Sequence, residues 1–147
     1  MSPAFATGTH RGRETCGQPR SRPMEALVPR TAMNLIDPAV RRCIDDCVQC
    51  HEVCLSTMPY CLEQGGTHAD EEHITLLLDC ENLCQTAADF MLRGSEEHGR
   101  LCAACAAVCQ RCAEECDQFS DDEVMHACAE ACRRCADSCE RMAVVLH

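Results

Sequence analysis

The sequence has no tryptophan, and aromatic residues make up only 3% of its 147 positions. Without bulky rings, a core of ordinary size has to be filled by smaller side chains. Basic charge is scarce as well: the net charge is −11, and all thirteen basic residues are arginines. Residues 1–30 hold five arginines against two acids, whereas the rest of the chain carries eight against 22. The basic footprint of a nucleic-acid-binding domain is therefore missing where the chain looks folded. The acidity reads as a solvated surface that attracts cations weakly. No stretch approaches the roughly 20 apolar residues of a membrane span. No apolar run of a secretory signal follows the early arginines, and Arg41-Arg42 leads into cysteine-rich sequence rather than an apolar segment. These features predict a cytosolic protein with neither a membrane nor a nucleic acid as partner.

What the chain has instead is cysteine, 17 in all. Counted among hydrophobic residues, the cysteines lift that fraction to 46%. Free cysteine packs as a small hydrophobe. In a cytosolic setting thiols stay reduced, so cysteine at this density points to metal more than to disulfides. From Leu101 to Cys116 the sequence reads LCAACAAVCQRCAEEC, with thiols at Cys102, Cys105, Cys109, Cys112 and Cys116. Steps of three and four trace one face of an α-helix. The same stripe recurs at Cys43, Cys47, Cys50 and Cys54, and at Cys128, Cys132, Cys135 and Cys139. A shorter copy sits at Cys80 and Cys84, and Cys61 lies seven residues beyond Cys54.

Helix signals frame these stripes. Asp37 can cap a first helix with Pro38 at its first position, running to about Gln64 before Gly65-Gly66. Pro59 is expected to kink or offset its last turn and so leaves the aim of Cys61 open. A second helix spans about 70–93, with acids in its first turn and Gly94 past its end. A third runs from Ser95 to about Phe119. A fourth starts in the Ser120–Glu123 capping box and runs to about Leu146. Short connections make sequential helices antiparallel. The predicted fold is all-α: an up-down-up-down antiparallel four-helix bundle with a cysteine-lined core. Residues 1–36, rich in Pro, Gly, Ser and Arg, read as a disordered arm ahead of a bundle domain over 37–147. Cys16 lies in that arm and belongs to no stripe.

The pattern C-x3-C occurs seven times. On a helix such residues have Cβ atoms about 5–6 Å apart, too far for a disulfide, which needs about 3.5–4.5 Å. Two sulfurs so placed suit one ion held between them. All-thiolate donors select Cu(I), zinc or iron–sulfur clusters. Structural zinc usually takes four ligands in tetrahedral sites, and cluster motifs place their cysteines in loops. One Cu(I) per thiolate also leaves a buried lumen near neutral, whereas zinc with four thiolates leaves two negative charges per site. Cu(I), many ions per chain, fits best.

In an antiparallel bundle one end collects Met58, Cys61, His68, His73, Cys116, Met125 and His126. That set suits a mouth where ions exchange. The other end collects Cys43, Met91, His98, Cys102, Cys139 and Met142. His73, one heptad before Cys80, is the best non-cysteine ligand candidate, with a hydrogen-bonded histidine near a helix end as the alternative. His98 and the two methionines read as packing.

The runs CIDDCVQCHEVC, CAACAAVCQRCAEEC and CAEACRRCADSCERM resemble the bacterial copper storage proteins, a cysteine-rich four-helix-bundle family of which the cytosolic type is the nearer match. The resemblance covers roughly residues 35–145. It implies storage of many Cu(I) ions by C-x3-C pairs and by thiols from facing helices, and a homotetramer of bundles; no enzymatic activity is expected. A zinc or other soft-metal sink and a thiol redox protein are the competing readings; no single pair among the seven stands out as a reactive one.

Overall fold

The computed structural model describes residues 36–144. The expected arm, with Cys16, and the last residues of the expected fourth helix lie outside the described residues. Four helices follow in order: α1 (Pro38–Gln64), α2 (Glu71–Leu92), α3 (His98–Asp117) and α4 (Glu123–Val144), with one 3-10 turn, Gly66–Ala69, between the first two. Each packs against its chain neighbours, and α1 closes the ring against α4. The cysteine-lined four-helix bundle is thus the observed fold.

The ends of the helices are set by local chemistry. The Asp37 carboxylate accepts from the Ala39 amide at 2.8 Å, with Pro38 at the first position. After α1 the chain turns through Gly65 at φ 68°, a left-handed conformation that favours glycine. At the end of α2, Gly94 takes φ 66°, its amide reaches the Met91 carbonyl, and the Ser95 amide reaches the Phe90 carbonyl at 2.9 Å. This is a Schellman ending. It uses up residues 93–95, so α3 begins at His98 rather than at the expected Ser95. The start of α4 also differs. Asp122, not Ser120, supplies the cap: its Oδ1 accepts from the amides of Val124 and Met125 at 3.0 and 3.2 Å.

Helix α1 runs unbroken through Pro59. The proline leaves the Leu55 carbonyl without its helical donor, but Leu55 is exposed and water can serve it. Cys61 therefore stays in line with the stripe and is fully buried.

The core contains few large side chains. Leu77, Met125 and His73 are the bulkiest that are wholly buried; most of the remainder is cysteine and alanine. Ala106 and Ala113 on α3, and Ala129 and Ala136 on α4, repeat at seven-residue intervals and are buried. These small residues let α3 and α4 share the most extensive interface of the bundle. Val48, Val53, Ile74, Leu83 and Val108 pack at the flanks. No helix among the described residues is long and apolar enough to cross a membrane.

Candidate metal centre

All sixteen cysteines of the stripes are buried and free of disulfides. Each helix turns its cysteine face to the axis, because that face is the one where the apolar side chains recur. The closest cysteine pairs have sulfurs 3.5 Å apart, Cys47 to Cys139 and Cys84 to Cys109. A disulfide bond is about 2.05 Å long. Along a single helix, Cys50 and Cys54 are separated by 3.9 Å, Cys105 and Cys109 by 3.8 Å. Between helices the separations are just as short: Cys80 to Cys109 is 3.6 Å and Cys50 to Cys132 is 3.8 Å. The C-x3-C pairs are therefore not isolated tweezers. Thiols from facing helices complete them.

Grouped by mutual proximity, the sulfurs form five sets: Cys47, Cys105, Cys135 and Cys139; Cys50, Cys84, Cys109 and Cys135; Cys50, Cys54, Cys80 and Cys132; Cys54, Cys112, Cys128 and Cys132; and Cys43, Cys102 and Cys139. Neighbouring sets share a sulfur or two, through Cys50, Cys54, Cys132, Cys135 and Cys139. The lumen is thus one continuous column of thiols rather than a row of separate sites. Cys116 stands beside this column, within the influence of Cys112 and Cys128.

Burial in such a column redistributes protons. Hydrogen bonds among the sulfurs, with burial, push Cys54, Cys109, Cys132 and Cys135 well above the ordinary thiol range. Neighbouring thiols hold Cys50, Cys80, Cys105 and Cys128 below it. An ion binding here displaces these protons, since thiolate is the ligand form.

Beyond the column, at the end reached by α1, Cys61 donates toward the Met125 thioether at 3.5 Å and faces His73 Nε2 at 3.5 Å. Burial pushes the Cys61 thiol up to about 11. His73 is 1% exposed, and its Nδ1 has no hydrogen-bond partner among the described residues. Glu115 Oε1 lies 4.0 Å from that nitrogen, too far for a hydrogen bond. Burial lowers the His73 pKa, with the Glu115 charge opposing.

Of the other residues expected near this mouth, Met58 and Met125 are buried, while His126 is exposed and takes no part. His68 pairs with Asp122 at 2.9 Å. At the opposite end, Cys102 donates toward the Met91 thioether at 3.9 Å, and His98 Nδ1 meets the Ser95 carbonyl instead of any sulfur. His51 contacts Glu81 on α2 and lies off the column. Sequence reasoning missed Asp122 and Phe119. Asp122 was hidden behind the more obvious Ser120 capping signal, and Phe119 lay at the boundary of a helix.

A bundle whose axis is lined by reduced, mutually close thiols, with a methionine and a histidine at one end, is by its chemistry a scaffold for soft metal ions. The family profile described as copper storage protein matches residues 37–144. The chain belongs to the copper storage protein family. Among solved structures it is similar to the Nmul_A1745 protein from Nitrosospira multiformis, with 38% identity, a TM-score of 0.69, and coverage of 73% of this chain and 96% of that one. It is also similar to the Cu(I)-bound copper storage protein BsCsp3, with 33% identity, a TM-score of 0.67, and coverage of 71% and 98%. A third is the copper storage protein Ccsp of Streptomyces lividans loaded with 10 copper equivalents, with 31% identity, a TM-score of 0.67, and coverage of 74% and 87%.

Proposed function

We propose that this chain binds and stores many Cu(I) ions on the thiolates of its lumen. The carrying observation is that five sets of cysteines overlap through shared sulfurs. A trafficking or sensing site needs two or three ligands, whereas a continuous column supports bulk loading. The Cu(I)-bound and copper-loaded relatives support the choice of ion, as does the all-thiolate donor set. The ligands in this reading are Cys43, Cys47, Cys50, Cys54, Cys61, Cys80, Cys84, Cys102, Cys105, Cys109, Cys112, Cys116, Cys128, Cys132, Cys135 and Cys139, with His73 at the mouth. The role is storage rather than catalysis, in a bundle domain over 37–147 that follows an N-terminal arm.

The chemistry of binding is exchange. Each ion takes thiolate ligands and releases their protons. Sulfurs shared between sets would each serve more than one ion, and the ions' positive charge would offset that of the thiolates along the buried column. Anaerobic titration with Cu(I) against a chromophoric chelator tests the reading. The expected result is uptake of about one ion per lumen cysteine, from the thiolate preference of that ion. Saturation after one or two ions would defeat it. The same reading puts the protein in the cytosol and assembles it as a homotetramer, both supported by the family resemblance, and light scattering of the purified protein checks the second.

A further inference from the structure

The Cys61 end of the lumen is covered by a layer of rings drawn from four segments. The His68 ring, on the 3-10 turn, lies 4.1 Å from the Phe119 ring centroid, and Phe119 in turn lies 5.1 Å from His73. Tyr60, at the end of α1, meets His68 edge-on at 6.1 Å. From outside inward the order is His68, Phe119, His73 and then the Cys61 sulfur.

One carboxylate fastens this layer. Asp122 Oδ2 accepts from the Tyr60 hydroxyl at 2.8 Å and faces His68 Nε2 at 2.9 Å. Its other oxygen, Oδ1, caps α4. The two duties fall on different atoms, so the fastening can release while the cap stays in place. The turn that carries His68 is preceded by Gly65 at φ 68° and begins with Gly66 at φ 56°, and a Cβ at either would meet nothing within 4 Å. The turn thus hangs on two glycines in the left-handed region, the residue type with the widest choice of φ. The closed arrangement also carries a cost beneath it, since His73 Nδ1 is buried without a partner among the described residues. Opening would let that nitrogen reach water. At the opposite end Met91 and Met142, flexible apolar side chains, are buried, and no comparable ring layer is found among the described residues.

We propose that the turn Gly66–Ala69 is a strap, latched by Asp122 to Tyr60 and His68, whose release frees Phe119 and opens the way to Cys61 and His73. The passage of ions rests on the storage reading above; the movement of the strap does not. In the closed state Phe119 blocks the line from solvent to the sulfur column, and the rate of exchange is set by unlatching rather than by binding.

The test uses full-length protein and two readouts. The first is the rate at which an excess of chromophoric chelator removes Cu(I) from the loaded protein. The second, made without copper, is the rate at which iodoacetamide alkylates Cys61, located by mass spectrometry. Tyr60→Phe removes one latch bond and leaves the helix cap alone; Phe119→Ala removes the plug. Loss of a hydrogen bond to a charged group predicts a roughly tenfold acceleration of both readouts in Tyr60→Phe, and Phe119→Ala should be at least as fast. Met142→Leu, at the other end, should match the parent protein. Wild-type rates in both mouth variants, or equal acceleration by Met142→Leu, overturn the strap. Should the parent take up no Cu(I) while alkylation still accelerates in the mouth variants, the storage reading falls and the strap stands.

Discussion

The sulfur of Cys135, on α4, lies 3.6 Å from the sulfur of Cys47, on α1. Cys135 is also 3.6 Å from Cys84 on α2 and 4.0 Å from Cys105 on α3. A single α4 side chain thus meets thiols from all three other helices. Cys135→Ala should lower the Cu(I) stoichiometry by about two ions, because a shared thiolate bridges more than one. Cys116→Ala, whose sulfur belongs to none of the five sets, should remove at most about one. Metal analysis after anaerobic loading and gel filtration gives both values, and equal losses would argue against a bridged column.

The core of the empty bundle is mostly cysteine and alanine, with few large side chains to bury. Cu(I) binds the folded bundle and not the open chain in the same geometry, so loading should raise the thermal midpoint with the excess of free ion. Removing the metal should lower the midpoint while leaving the helical circular dichroism in place. A metal-free chain that is random coil would contradict the helix caps described above.

At alkaline pH the empty protein should weaken. The Cys61 pKa is raised from 9.0 to about 11 in the folded chain. The unfolded chain therefore loses its proton first, and the stability linked to this thiol is full below 9.0 and lost as pH rises toward about 11. Chemical denaturation across that window should show a falling midpoint, and Cys61→Ala should flatten the fall.

His73 works in the opposite direction. Its folded pKa lies below the ordinary 6.5 because it is buried, despite the nearby Glu115 charge. The associated stability is present above 6.5 and declines as pH falls through the lowered folded value. His73→Phe keeps a ring against Phe119 and removes the unpartnered nitrogen, so the empty protein should gain about 1 kcal/mol at neutral pH and lose the acid-side decline. The same variant should release the ion nearest the mouth more readily to a competing chelator. A stability loss at neutral pH would show that the contact of Nε2 with Cys61, or a partner of Nδ1 in solution, outweighs the cost of the buried nitrogen.

The four helices and their inward faces were legible because cysteine took the places where hydrophobic periodicity is normally read, and the step pattern survives the change of residue. Cys61 was harder to place. A proline two residues earlier argues for a broken register, yet an exposed Leu55 carbonyl tolerates the missing donor and the helix continues. The onset of α3 moved because a Schellman ending spends residues that a simple glycine stop would not. Which sulfur lies beside which across the bundle depends on how far each helix is rotated and staggered, and no single-helix pattern encodes that. The ring layer was illegible for a related reason: Tyr60, His68 and the connection that carries both Phe119 and Asp122 are three separate segments and form a unit only when all three converge.

The near absence of hydrocarbon along the axis ties two properties to the same atoms. A valine, little larger than cysteine, exchanged for one of these sulfurs would rid the vacant bundle of a buried titratable group and subtract from what it can carry. Selection for a sturdier apoprotein and selection for a larger hoard therefore pull on each lumen position in opposite directions.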